Sequence, residues 1–527
     1  MPRVKPFAEH VAACLLNFCS PRSPWQRRLW TIGPVLGIGE ALEASDAAAE
    51  GHLSDRAARD VRSAIIREAG QDPGIGDAAQ RSVLQKCLSS DLRKESGDYV
   101  RLNEILARVQ TGYLNRWSRV IERKRDRPRP ERAARAIASH LLDAGFTPEY
   151  LSRWLSYRLR HNSDLTLSEI LEEAAGLVAA RPEVFKVMLP VKATPRTRTD
   201  MPSSWLTAQA TSKWLRSHGF STSGLRQAGG FLMEIRARDA WGALEIANER
   251  LDLISARVAL GVRAITRDCG YGWIAGHKKP FRLHNVRRGV EVRVLEREHR
   301  LYESTSQSRL DSALELVAPL NSGAPSTAIA GGWAAVETLL LGPGDSGDRG
   351  VAGDRLATII ACSFVRAECT KVAYAHIQAT EDPLAQELSN ATSNRQRAEI
   401  LERAIRAEQS LVLKDPADRV AATRIRAILT NPKKRLLDIE TYLAAALRRF
   451  YRQRNLVLHS GKTHAVALRA ALRTAAPLVG AGLDRLVHSH YVEGLQPLEL
   501  AARARLNLDL LESLDGGSPV LLLEPQQ

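Results

Sequence analysis

No apolar run in the sequence approaches the length that crosses a bilayer as a helix, so a helical membrane span is not expected. The six cysteines (Cys14, Cys19, Cys87, Cys269, Cys362 and Cys369) form no CxxC pair and no Cys/His spacing that suits zinc. That argues against a disulfide framework or zinc ribbon and for a reduced, cytoplasmic chain. VAACLLNFC imitates a signal-peptide core, yet Glu9 and His10 cut it short, and no targeting segment is expected. Nucleotide loops are lacking too. GPVLGIGEAL has no strand before it and an incomplete GxGxxG, and HSGKT at 459–463 has Leu456 where a Walker A motif needs its first glycine. HExxH, GxSxG and solenoid-period repeats are also missing. No cofactor and no metal is expected.

What is abundant is positive charge: 75 Lys and Arg against 59 Asp and Glu, a formal net charge of +16. Such an excess points to a polyanionic partner, most commonly nucleic acid. At 527 residues the chain exceeds a single core, and about 150 residues per domain implies roughly three units. Its 44% hydrophobic content is ample for their burial.

Residues 1–180 read as a basic helical domain, with periodic stretches such as HLSDRAARDVRSAIIREAG broken by Gly and Pro. Within RWSRVIERKRDRPRPERAARA the cations Arg116, Arg119, Arg123, Lys124, Arg125 and Arg127 crowd together. They suit a phosphate backbone, with Trp117 as a stacking surface, or else form a solvated helix end near Pro128 and Pro130. The texture then changes. VFKVMLPV reads as a strand, SSWLTAQATSKWLRSHG as a helix ending at Gly219, and GGFLMEIRARDAWGALEIANERLDLISARVALG as strand then helix. FRLHNVRRGVEVRVLEREHRL suggests further strands. Residues 183–303 therefore make a small α+β domain in the split-βαβ style. A helical bundle follows over 305–500, and 501–527 is a tail. The expected fold class is mainly α with an inserted α+β module.

The most informative stretch is ETYLAAALRRFYRQRNLVLHSGK. A histidine can move the protons of a ribose 2'-OH and a departing 5'-oxygen, and a guanidinium can hold the phosphate whose charge builds between them. His459 lies four intervening residues after Arg454 and six after Arg452. At about 100° per residue, Leu436, Ile439, Leu447, Phe450 and Val457 fall within about 40° of Leu443, as a buried stripe. Arg454 falls inside this stripe, with Arg452, Asn455 and His459 opposite. A buried Arg needs a partner, so the phase suggests a seam opening into a cleft, as at a dimer interface.

RNLVLH, preceded by Phe450 and Tyr451 and followed by Gly461, resembles the R-x4-6-H signature of HEPN domains, the helical ribonuclease domains of prokaryotic defence and toxin systems. Arg293–His299 and Arg485–His490 share the spacing but not the surroundings. SALELVAPLNSGAPSTAIAGGWAAVETLLL resembles the opening helix of such a domain, with Trp333 and Glu337 one turn apart. RLATIIACSFVRAEC is similar to the second helix and ALRAALRTAAPLVGAGLDRLVHSH to the closing one. The likeness spans about residues 305–492 and is nearest to the subgroup in large single-chain anti-phage proteins.

The resemblance implies a metal-independent endoribonuclease acting in anti-phage defence or growth arrest. Arg454, Asn455 and His459 would be catalytic, with Arg452 and Glu337 in support, in a homodimer or higher even oligomer where two motifs meet. The substrate would be RNA, tRNA among the candidates, and the trigger phage-derived. The basic and α+β modules would hold the nuclease silent or position RNA. The competing readings are a nucleic-acid-binding or sensor protein that uses the bundle only to dimerise, and a toxin silenced by an antitoxin. Taken singly, His459 before Gly461 is a helix C-cap histidine, the arginines are snorkelling surface residues, and Glu337 is an ion-pair partner.

Overall fold

A computed structural model describes residues 6–123, 128–161, 166–193, 201–263, 266–283, 288–303, 308–345, 347–512 and 517–525. Helices make up 66% of it, and a small antiparallel sheet supplies the rest of the regular structure, so the protein is mainly α with an α+β part. Two compact units are present. One comprises Met1–Asp143, Arg158–Ala175 and Arg288–Gln527, and the other Ala144–Tyr157 and Gly176–Arg287.

The first unit is all helical and is organised around the helix Val351–Ile377. That segment is apolar on nearly every face, which is the pattern of a central helix. Leu356, Ile359, Ile360, Phe364, Val365 and Val372 are all buried. Around it pack Asn394–Arg406, Pro416–Thr430, Pro432–Ser460, Leu468–Glu493 and Pro497–Leu510. The helices Arg309–Ser322 and Pro325–Leu340 form a hairpin, opened by a capping box between Ser308 and Asp311. LLGPGDSGDRG is the loop between Leu340 and Val351, and Arg355 anchors it through Asp345 at 2.5 Å. Gly353 lets Trp333 lie against the central helix, since a Cβ there would stand 3.2 Å from the indole.

Buried and half-buried ion pairs join the N-terminal helices to this bundle. Arg27 meets Glu368 at 3.1 Å and Asp418 at 2.7 Å, Arg424 meets Glu368 at 2.8 Å and Glu131 at 2.7 Å, and Arg473 meets Asp143 at 2.7 Å. Removing one partner of such a pair strands the other charge in apolar surroundings, at a cost of about 3–5 kcal/mol.

The second unit carries six strands: β1 Glu183–Ala193, β2 Trp205–Thr207, β3 Gly229–Ala237, β4 Arg267–Asp268, β5 Tyr271–Ile274 and β6 Phe281–Arg282. Their order is β2-β3-β1-β5-β6, with β4 also paired to β1. Val187, Leu189 and Val191 of β1 face the helix Ala240–Val262, whereas Met188 faces Leu215 of the helix Ala208–Ser217, so alternate residues fill two cores.

Two expectations are corrected here. β1 pairs directly and antiparallel with β3, from Glu183 opposite Ala237 to Val191 opposite Gly229, so the sheet is not a split βαβ. Among the described residues of FRLHNVRRGVEVRVLEREHRL only the two of β6 are strand, and Val294–Arg297 is a short helix. The physical reason is tertiary: Val294 is buried, and its backbone N–H donates to Asp484 on the helix Leu468–Glu493, 2.9 Å away.

Candidate functional site

The helix Pro432–Ser460, here the motif helix, starts with proline in its first turn and contains no glycine. It stops where Gly461 takes a left-handed φ of 65°, a conformation that costs glycine little. The Lys462 N–H donates to the Leu456 carbonyl at 3.2 Å and closes the end. Three of the expected site residues meet on its last two turns. Arg454 Nη1 donates to Asn455 Oδ1 at 3.0 Å and lies 3.5 Å from His459 Nε2. Arg454 and Asn455 are half-buried and His459 is exposed.

The two arginines have exchanged the places that helix phase gave them. Arg452 is buried rather than shared with Asn455 and His459, and Arg454 borders the open face rather than the apolar seam. Arg452 Nη2 reaches Glu40 at 3.1 Å, and Arg449 Nε reaches the same carboxylate at 2.9 Å. Glu40 belongs to the helix Pro34–Ala49. Leu447, Phe450 and Val457 of the expected stripe are buried, but over the final turns the buried face widens to take in Arg449, Arg452, Gln453 and Leu456 as well. Burial pushes the Glu40 carboxyl up, but the two guanidiniums outweigh it and hold it below its ordinary value. Burial draws Arg452 below its ordinary value despite Glu40, whereas Arg449, which also feels Glu68 and Asp143, is raised. Arg452 is therefore a structural cation.

Glu337 is held away from the trio. Its Oε1 accepts from Trp333 Nε1 at 2.8 Å, and its Oε2 lies 3.9 Å from Arg349. The Trp333 ring stacks obliquely on Tyr451, 4.9 Å between centroids, one turn before Asn455. Glu337 thus orients an indole that braces the motif helix and touches neither Arg454 nor His459 in these contacts.

The basic run is corrected in part. Arg116 donates from Nε to the Gly74 carbonyl at 2.6 Å, from Nη1 to Thr111 at 2.8 Å and from Nη2 to Val109 at 2.5 Å. It closes the end of the helix Gly97–Gln110 instead of facing a phosphate. Trp117 is 0% exposed and cannot stack on a base. Arg119 and Arg123 are exposed, while Lys124, Arg125 and Arg127 lie outside the described residues.

Among the described residues, one group of three side chains brings metal-type donors within 4.8 Å of one another: His10, Cys14 and Glu131. Cys spacing alone concealed it, because His10 and Cys14 sit one helical turn apart and Glu131 is remote in sequence. Burial pushes the Cys14 thiol up to about 12 and the His10 imidazole down, and Arg424 already occupies the Glu131 carboxylate. The Arg424–Glu131 contact ties the group into the ion pairs that join the N-terminal helices to the bundle.

No protein-family model, no curated protein and no solved structure matches this chain.

Proposed function

We propose that the protein is a metal-independent endoribonuclease of the HEPN type, in which His459 is the general acid or base, Arg454 the phosphate clamp and Asn455 the residue that orients them. The observation that carries this reading is the convergence of the three side chains on one open face of the motif helix, with the Arg454 guanidinium between the other two. In the reaction the ribose 2'-oxygen loses its proton and attacks the adjacent phosphorus. The P–O5' bond breaks, the 5'-oxygen takes a proton, and the products are a 2',3'-cyclic phosphate and a 5'-hydroxyl. Arg454 lacks a carboxylate partner among the described residues, so its charge is available to the pentacoordinate phosphate. A second protomer bringing its own copy of the trio would complete the site. The setting would be cytoplasmic anti-phage defence or growth arrest; among the described residues no helix is long and apolar enough to cross a membrane.

The test is incubation of the purified protein with tRNA or total RNA in EDTA, followed by analysis of the new ends. His459→Ala should cut about 100-fold more slowly or worse. Undiminished cleavage by that variant overturns the assignment. Salt-sensitive RNA binding with no cleavage by the parent protein would favour the non-catalytic binding reading, and rescue from toxicity by a co-expressed neighbour would favour the antitoxin-controlled one. Equal plaquing of a broad phage panel on parent and His459→Ala strains would remove the defence role.

A further inference from the structure

The α+β unit contains a hollow of about 560 Å3 that the ribonuclease reading does not use. Tyr271 and Trp273 are two residues apart on β5 and so share a face, while Gly272 between them faces Leu244 on the other side. The helix Ala208–Ser217 lies on the Trp273 face. The chain then loops back through Gly219 and Gly224, whose φ values of 79° and 74° give the loop its turns. Phe220, from this loop, seals Trp273 into a small core with Met188 and Leu215. Tyr271 is left 37% exposed at the mouth, its ring 6.2 Å from that of Trp273.

The rim is cationic and comes from three separate segments. Lys192 ends β1, Arg226 lies on the loop before β3, and Lys278 lies in the turn between β5 and β6. All three are exposed, and among the described residues none has an ion-pair partner and no carboxylate lines the hollow. A solvated charge run would come from one stretch of chain and interleave with acids. Convergence from three segments onto one aromatic floor is the arrangement of a ligand site. Lys192 also borders a neighbouring hollow, lined by Arg267 and by the carboxylate of Asp268. An exposed tyrosine face suits a flat ring, the unpaired cations suit a phosphate, and Ser221 and Ser223 at the edge suit sugar hydroxyls.

The geometry points to a nucleotide-binding cleft here, in which a base stacks on Tyr271 and its phosphate is neutralised by Lys192, Arg226 and Lys278. Single-stranded RNA and a free nucleotide share this chemistry, and the test separates them. The site is independent of His459, so its fate and that of the ribonuclease assignment are distinguishable.

The experiment uses full-length His459→Ala protein in EDTA, so that no cleavage confuses the readout. A labelled single-stranded oligoribonucleotide of about ten nucleotides is followed by fluorescence anisotropy at two salt concentrations, with ATP and AMP as competitors. Tyr271→Ala should weaken binding about tenfold or more, and Arg226→Glu should weaken it and flatten its salt dependence. Both positions are exposed, and an unchanged thermal midpoint certifies the fold. Displacement of the oligonucleotide by ATP or AMP, with direct binding of either lost in Tyr271→Ala, identifies a free nucleotide as the occupant. Resistance to both competitors identifies the RNA chain. Oligonucleotide and nucleotide binding that is absent, or unchanged in both variants, overturns the proposal.

Discussion

On the last turns of the motif helix, two arginines two residues apart have opposite surroundings. Arg452 is sealed against Glu40 together with Arg449, whereas Arg454 faces outward and meets the amide of Asn455 and the imidazole of His459. The same residue type becomes a structural bolt or a candidate phosphate ligand according to whether a buried carboxylate has claimed it. A guanidinium paired in a dry interior has spent its charge, and one without a carboxylate at the surface has not.

The sharpest way to break the contrast is to remove the shared carboxylate. Glu40→Gln takes from Arg449 and Arg452 the carboxylate that both contact and should cost about 3–5 kcal/mol in urea unfolding. The loss should itself depend on pH. The Glu40 carboxyl titrates below its ordinary value of 4.5 in the folded chain, so its stabilisation is complete above that value and fades as pH falls through the lower folded one. The gap between parent and variant should therefore be widest near neutrality and narrow in acid. A gap independent of pH would mean that Glu40 is not the charged partner.

Next in size is Arg116→Ala, which abandons the carbonyls of Val109 and Thr111 at a helix end and that of Gly74, and should cost about 2 kcal/mol. Arg119→Ala, on the exposed side of the helix Tyr113–Glu122 that also carries Arg116, should change stability by less than about 0.5 kcal/mol. Equal effects would erase the distinction between a spent and a free arginine there. Between these two falls Glu337→Gln, which weakens the hydrogen bond to Trp333. We expect about 1 kcal/mol of destabilisation and cleavage within about twofold of the parent, because Glu337 braces the helix from outside the trio.

How much of this the sequence displays depends on the distance over which each cause acts. The ends of the motif helix are legible because Pro432 and Gly461 act locally, as are the helices opened by Ser54 and Ser308. The grouping of Asn455 with His459 is legible too, being a matter of helical spacing. The assignment of Arg452 and Arg454 is not, because Glu40 lies 412 positions before Arg452, in a segment whose glycines drew attention instead. Periodicity averaged over the whole helix hides a change of packing partner near its end. Trp117 misleads for a related reason: arginines beside it imply an exposed ring, while its neighbours Leu114 and Ile121, one turn away on either side, are buried with it. The hollow beside Tyr271 has no sequence signal, since its cations are drawn from three separate segments.

The most direct measurement is the RNA cleavage rate in EDTA, per folded molecule, of Arg454→Ala beside Glu40→Gln. The account predicts that Arg454→Ala keeps the parental unfolding midpoint but loses about 100-fold in rate, while Glu40→Gln unfolds earlier and cleaves at the parental rate while folded. Parental cleavage by Arg454→Ala would contradict it.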